Sequence, residues 1–216
     1  ERYGAEIRFG HEVIAVDVAV QNPILTVKDE HGTQYQIQAK FLLDASGFGR
    51  ILPKFLDLES PSNFPVRRAI FTHIEDGILN NPDFDREKIL ITVHEKDPRA
   101  WYWLIPFADG RSSFGIVAEQ DFFENYQFDD SSAETLQATF ERILADDPAL
   151  SHVLSHKKFD TAVRTLVGYS ANVKHLADRN YALLGNAGEF LDPVFSSGVT
   201  IALKSSSLVV PLLERV

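Results

Sequence analysis

The chain has 216 residues, of which 44% are hydrophobic and 24% are charged, and this composition is typical of a globular protein rather than a disordered one. The net charge of −10 argues against nucleic acid as a main partner, because phosphate contacts need clustered Lys and Arg side chains. There is no cysteine and no apolar run of 18 residues, so disulfides, cysteine-bound metals and a membrane span are excluded. We expect a cytoplasmic protein, and we predict no metal site.

The first 50 residues are predicted to be rich in β-strands. Ile14, Val16, Val18 and Val20 recur at every second position, which is the period of a strand, and residues 29–32 form a turn signal. The apolar run 41–43 then stops at the small residues that follow Asp44. This pattern is typical of a buried strand that ends at a ligand crevice.

Residues 51–177 are predicted to form a second region built on an antiparallel sheet. A connection with three prolines spans residues 51–66. Alternating patterns and turn signals then predict strands over the ranges 67–74, 88–94, 100–106, 112–118 and 159–170. Residues 131–156 have helical spacing, with Ser131 or Ser132 as a cap and a division at Asp147-Pro148.

Residues 178–216 are predicted to return to the first region. Residues 181–184 form a short strand that runs into Gly185, and a loop rich in Gly, Pro and Ser follows. A helix is predicted from Ser197 or Gly198 onward, with Pro211 bending or ending it. The start of this helix presents backbone N–H groups without bulky side chains, which suits an anion.

The only two tryptophans, Trp101 and Trp103, lie two residues apart in the segment Ala-Trp-Tyr-Trp-Leu-Ile-Pro-Phe. On a strand they point to one face, where two indoles form a wall for a planar partner. Packing within the protein core is the more common use of such a pair, and both interpretations remain open from this segment alone.

Three segments taken together resemble the FAD-dependent oxidoreductases of the p-hydroxybenzoate hydroxylase-like superfamily. Asp-Ala-Ser-Gly-Phe-Gly-Arg, residues 44–50, is similar to their second FAD segment, and residues 185–199 are similar to the third. Trp-Tyr-Trp-Leu-Ile-Pro further resembles the Trp-x-Trp-x-Ile-Pro motif of the flavin-dependent halogenases. The resemblance implies an α/β (α+β) fold. Residues 1–50 and 178–216 would then be parts of a Rossmann-like FAD-binding domain, with the antiparallel substrate-side domain, residues 51–177, inserted between them.

The resemblance also implies roles for individual residues and for partners. The implied catalytic residues are Trp101, Trp103 and Pro193. The implied halide ligands, for chloride or bromide, are the N–H groups of Ser197 and Gly198. The implied FAD-binding residues are Asp44, Ser46, Gly47, Gly185, Asn186, Ala187, Asp192, Gly198 and Val199. The substrate would be an aromatic or lipid-like small molecule, and a flavin reductase would supply reduced FAD.

The sequence departs from the family pattern in three respects. Neither the Gly-x-Gly-x-x-Gly loop nor the catalytic lysine of the halogenases occurs in the 216 residues, and Asn186 stands where many relatives have Asp. The absence of methionine, even at residue 1, indicates an internal fragment without the amino-terminal half. Two alternatives stay open: a flavin monooxygenase or geranylgeranyl reductase-like enzyme without halogenation, and a non-catalytic flavin-binding fragment.

Overall fold

The computed structural model describes residues 4–78 and 84–213, apart from the side chain of Phe195. These residues form two compact units. The first comprises the described part of Glu1–Phe64 and Ser170–Val216, and the second is Pro65–Tyr169. The boundaries differ from the predicted positions 50 and 177, because strand pairing between Glu59–Ser60 and Asn172–Val173 draws both flanking segments into the first unit.

The strands are, in chain order, β1 (Glu12–Asp17), β2 (Ile24–Lys28), β3 (Gln34–Gln38), β4 (Leu42–Asp44), β5 (Glu59–Ser60), β6 (Arg67–Glu75), β7 (Leu90–Val93), β8 (Trp101–Pro106), β9 (Arg111–Glu119), β10 (Lys158–Phe159), β11 (Arg164–Val167), β12 (Asn172–Val173), β13 (Ala177–Asp178) and β14 (Tyr181–Leu183). The α-helices are α1 (Ile51–Phe55), α2 (Gln120–Glu124), α3 (Ala133–Ala145), α4 (Pro148–Val153) and α5 (Gly198–Leu213).

The first unit holds an antiparallel meander, β1–β2–β3, and a separate sheet of order β13–β14–β4. In the separate sheet β14 runs parallel to β4, with Leu183 opposite Asp44. Parallel neighbours end at the same edge of a sheet, so the loops that follow β4 and β14 meet there. This pairing brings together two segments that are far apart in the sequence.

The second unit is the predicted antiparallel sheet, in the order β10–β6–β9–β8–β7, with β11 also paired to β6. One face packs against α2, α3 and α4 in a core that includes Ile70, Tyr102, Phe114 and Phe140. We call the other face, which carries Trp101, Trp103 and Phe71, the open face. The core side chains and the open-face side chains alternate along each strand, as the strand period requires.

The two helices predicted within residues 131–156, divided at Asp147-Pro148, are confirmed as α3 and α4. Ser132 caps α3, with its side chain accepting from the Thr135 N–H at 3.2 Å. Asp147 caps α4, which starts at Pro148, and proline is favoured at this first helical position. The predicted division at Asp147-Pro148 therefore marks the start of a helix.

Other elements differ from the predicted ones. The connection 51–66 contains α1 and β5, and the strand expected over 159–170 is interrupted between β10 and β11. Pro211 does not end α5, which continues through it to Leu213. Among the described residues, no helix combines the length and apolar character needed to cross a membrane, and no group of three or more His, Asp or Glu side chains is arranged to hold a metal ion.

A buried carboxylate anchors the end of β6. Asp76 is 1% exposed and accepts from Arg86 Nη2 at 2.7 Å, Ser112 Oγ at 2.6 Å and the Ile78 N–H at 3.1 Å. Burial by itself would raise the pKa of Asp76, but these donors outweigh it and hold the pKa below its ordinary value. The ionised form is therefore the one that the fold stabilises.

We predict that Asp76→Asn lowers the free energy of unfolding at pH 7 by about 2 kcal/mol, since it removes hydrogen bonds to a charged group. A lowered pKa contributes stability that is present above the unfolded value, near pH 4, and is lost as pH falls through the folded value. Chemical denaturation should therefore show that the free energies of unfolding of wild type and Asp76→Asn converge as the pH falls from 7 to 3. Asp85→Asn is the control, because Asp85 pairs with Lys88 in solvent. A difference in free energy of unfolding between wild type and Asp76→Asn that stays the same at all pH values would contradict the prediction.

Candidate flavin site

The loop after β4 is shaped by Asp44. Its Oδ1 accepts from the Ser46 N–H at 2.8 Å, and its Oδ2 accepts from the Leu52 N–H at 2.7 Å. The Ser46 hydroxyl accepts from the Ile51 N–H at 3.0 Å. The polar groups of both side chains are thus bonded to backbone N–H groups of the loop and of α1. These bonds fix the loop, and the contact of Asp44 and Ser46 with a cofactor stays a prediction.

Gly47 is the residue of this loop that leaves space for a ligand. It has a φ of +60°, and a Cβ added to it would have no atom within 4 Å. The space in front of it belongs to a cavity of about 480 Å³ within the first unit. This volume is in the range of about 300–1,000 Å³ that is usual for ligand pockets.

The segment after β14 forms a second wall of the cavity. Gly185 and Asn186 line it, whereas Ala187 is completely buried behind it. Gly185 has a φ of +53°, and a Cβ there would lie 2.9 Å from the Cβ of Ala202 on α5. Gly185 is therefore required for the close approach of α5 to this turn, whether or not a ligand also approaches it.

Arg50 ties the two segments together from behind. Its guanidinium donates to the carbonyl oxygens of Gly188 and Asn172, each at 2.9 Å. It also forms an ion pair with Glu59 at 3.2 Å. The side chain of Arg50 is 8% exposed, so these bonds are largely shielded from water. Arg50, the last residue of the predicted FAD segment 44–50, thus holds the segment after β14 in place.

The third wall is the segment that leads into α5. Asp192 Oδ1 accepts from the Val194 N–H at 3.0 Å, which closes a 3-10 turn over Pro193–Phe195. Ser196 has a φ of +51° and turns the chain into α5, which starts at Gly198. The first N–H groups of a helix have no partner within it, and they give this end a partial positive charge. Ser197, Gly198 and Val199 line the cavity at this end.

The three segments therefore converge on one cavity, although the first is separated from the other two by more than a hundred residues in sequence. Predicted site residues that line it are Gly47, Gly185, Asn186, Asp192, Pro193, Ser197, Gly198 and Val199. Asp44 and Ser46 line a second cavity of about 220 Å³ in the same unit, and Ala187 is completely buried. Lining residues that sequence reasoning missed include Ala45, Phe190, Leu191, Ile201 and Ala202. They are mostly apolar, and apolar residues carry no pattern that separates a cavity wall from ordinary core.

The family model described as Tryptophan halogenase matches residues 1–214. The chain belongs to this family. Among the curated relatives of this chain, the flavin-dependent halogenase gsfI of Penicillium aethiopicum is 28% identical over 180 residues. The match covers 83% of this chain and 34% of the relative. The 1H-pyrrole-2-carbonyl-[peptidyl-carrier protein] chlorinase of Pseudomonas fluorescens is 25% identical over 207 residues, covering 95% of this chain and 45% of the relative. The chain thus spans less than half the length of these relatives.

Solved structures show the same fold. A flavoprotein/dehydrogenase from Cytophaga hutchinsonii superposes with a TM-score of 0.82 at 33% identity, covering 95% of this chain and 48% of the other. The myxobacterial chondrochloren halogenase CndH, named as a variant of FAD-dependent halogenases, superposes with a TM-score of 0.78 at 27% identity, covering 96% of this chain and 47% of the other. The α/β fold predicted from the sequence is confirmed.

The tryptophan pair of this halogenase family member lies on the open face of the second unit. Both side chains extend from β8 to that face, with ring centroids 5.9 Å apart. Trp103 donates from Nε1 to Ser113 Oγ at 3.0 Å, and its ring packs over Gly115. Trp101 is 6% exposed, and its Nε1 has no hydrogen-bond partner among the described residues. Both indoles are outside the main core cluster of the second unit, but only Trp103 is partly exposed, so it is the tryptophan that a planar ligand could contact.

Gly115 sets the position of the Trp103 ring, because a Cβ at residue 115 would overlap Cη2 and Cζ2 of that indole. We predict that Gly115→Ala displaces the ring and lowers the free energy of unfolding by about 1–3 kcal/mol through overpacking. Thermal or urea denaturation measures the loss. Trp103→Leu in the same chain should remove most of the effect of Gly115→Ala, as expected for two residues in contact. Additive losses would show that the clash is not the cause.

Proposed function

We propose that this chain is part of a flavin-dependent halogenase, in which the cavity of the first unit holds FAD and the start of α5 holds a halide. The observation that carries the proposal is the convergence of Gly47, the Gly185–Asn186 turn and the Ser197–Gly198 helix start on one cavity. Membership of the tryptophan halogenase family supports the same reaction class.

The residues of the cavity fit a flavin. Most of the lining is apolar, which suits the faces of a ring system, while polar groups lie at defined points. The amide of Asn186 would bond a hydroxyl of the cofactor chain. Gly47 leaves the backbone open to close approach, since nothing lies within 4 Å of a Cβ there. Asp44, Ser46 and Arg50 would act by holding these groups in position.

The halide would lie at the first turn of α5. N–H groups from Ser197 and Gly198 would donate to the anion, and the partial positive charge of the helix end would stabilise it. Reduced FAD and oxygen supply the oxidising equivalent when the cofactor is bound. The contribution of this chain is to bind and orient the anion and to replace water around it with fixed donors.

Substrate and partners belong to the same proposal. Several similar proteins are named for small aromatic substrates, including pyrrole and tryptophan, and this supports an aromatic or other small organic substrate that contacts the tryptophan pair. A flavin reductase would supply reduced FAD. The absence of cysteine fits a reducing compartment, which supports a cytoplasmic location.

Likeness to a protein named flavoprotein/dehydrogenase favours a second candidate, a flavin oxidoreductase without halogenation. One experiment separates the two. The full-length protein is supplied with chemically reduced FAD, oxygen and a panel of electron-rich aromatics, with chloride, with bromide or without halide. Products with the halogen mass shift and no turnover without halide are expected. Turnover that is equal with and without halide would support the second candidate and contradict the first.

A further inference from the structure

The open face of the second unit carries a row of three aromatic rings. Strand register places Trp103 opposite Gly115, and Gly115 opposite Phe71. Because glycine adds no side chain between them, the rings of Trp103 and Phe71 approach to a centroid distance of 6.3 Å. Trp101, two residues before Trp103 on β8, has its ring centroid 5.9 Å from that of Trp103, and only 6% of Trp101 is exposed. The partly exposed rings of Phe71 and Trp103 offer an apolar surface to a planar ligand.

The row ends at a cavity of about 150 Å³ within the same unit. Its lining residues are Phe71, Thr72, His73, Thr161, Ala162 and Arg164. The cavity lies where β10 ends at Phe159 and β11 begins at Arg164, beside the Thr72–His73 stretch of β6 that pairs with neither strand. The chain between the two short strands leaves the regular sheet pairing but stays bonded to β6, since the N–H groups of Asp160 and Thr161 donate to the His73 carbonyl oxygen at 3.1 Å and 3.4 Å. Phe71 belongs to both the row and the cavity.

Two side chains that line this cavity, His73 and Arg164, can offer hydrogen-bond donors to a ligand. His73 Nδ1 lies 3.3 Å from Arg111 Nη2, and because arginine can only donate, Nδ1 must accept. The ring proton of neutral His73 is therefore on Nε2, which is left as a donor. Arg111 itself is paired with Asp160 at 2.8 Å. Arg164 is exposed and has no hydrogen-bond or ion-pair partner among the described residues, so its guanidinium is available.

We propose that this cavity binds the carboxylate of an acidic aromatic substrate whose ring lies on Phe71 and Trp103. Arg164 pairs with the carboxylate, because a guanidinium matches its planar geometry, and the Nε2–H of His73 is the second donor. Arg111 is a positioning residue that fixes the tautomer of His73. The inference rests on the proposed function for the reaction, and it adds the substrate class and the residues that select it.

The test is calorimetric binding to the full-length protein at pH 7.5, with 3-hydroxybenzoate and the neutral 3-hydroxybenzamide as probes. Wild type is expected to bind the carboxylate about tenfold more tightly than the amide. Arg164→Gln should abolish this preference by weakening carboxylate binding only. Arg179→Gln, which removes the same charge from an exposed turn of the first unit, should leave the preference intact.

Binding requires no turnover, so the two proposals fail separately. Equal affinity for the two probes, binding of neither, or a preference that survives Arg164→Gln would overturn the carboxylate site, whatever the halogenation assay gives. A preference that disappears in Arg164→Gln, in a protein that never halogenates either probe, would retain the site and overturn the halogenase reaction. Arg164 is exposed, so its variant is expected to fold, and circular dichroism checks this.

Discussion

Replacing Arg50 by methionine is expected to lower the free energy of unfolding by about 3–5 kcal/mol. The substitution keeps an apolar stem but leaves the carbonyl oxygens of Gly188 and Asn172 buried without their donor. Each such orphaned group costs about 1–3 kcal/mol. Urea denaturation of the protein without added FAD measures the loss directly.

The same substitution should weaken FAD binding, because Arg50 joins the loop after β4 to the turn after β14. Glu59→Gln is the matched control. It removes the ion pair with Arg50 but leaves the carbonyl bonds, and the Glu59 side chain is 52% exposed. An exposed partner contributes little, so the control should stay within about 1 kcal/mol of wild type. Equal losses of unfolding free energy in Arg50→Met and Glu59→Gln would mean that the ion pair with Glu59, rather than the bonds to the two carbonyl oxygens, provides the stability.

Gly185→Ala is expected to cost about 2–4 kcal/mol and to reduce FAD affinity at least tenfold. Two effects combine in this variant. A left-handed φ of +53° strains any residue with a Cβ, and that Cβ would meet Ala202 at 2.9 Å and push α5 away from the cavity. Since Gly198 at the start of α5 lines the cavity, the halide position would move with the helix.

Gly47→Ala separates the two effects, because Gly47 has a similar φ of +60° but open space around it. It should show the strain alone, about 1–2 kcal/mol. Ala202→Gly in the Gly185→Ala background should restore the FAD affinity by removing the colliding methyl group. If Gly47→Ala and Gly185→Ala lose the same stability, contact with α5 is not what requires a glycine at residue 185.

Much of the fold could be predicted because periodic patterns reflect local geometry. The aromatic and apolar run over residues 100–106, bounded by turn signals, predicts β8, and Ser132 with the residues after it predicts the start of α3. Interruptions set by distant contacts could not be predicted. The pairing of β5 with β12 moves the boundary between the units, and nothing local at Glu59 or Val173 encodes that partner.

The candidate site could be predicted where glycine and small polar residues indicate a turn or the start of a helix. Gly47, Asn186 and Ser197 do line the cavity. Asp44 was predicted to contact a cofactor; its carboxylate also bonds two backbone N–H groups, a structural role that the sequence pattern did not reveal. The role of Arg50 was missed, since it depends on carbonyl oxygens more than 120 residues away in the chain.

The central claim is that the cavity of the first unit holds FAD. It is tested most directly by the visible spectrum of the full-length protein after incubation with FAD and gel filtration, alongside Gly185→Ala treated identically. A retained flavin spectrum in wild type that is lost or strongly reduced in the variant is the predicted result. A colourless wild-type protein, or retention that is indifferent to Gly185→Ala, would contradict the assignment of this cavity.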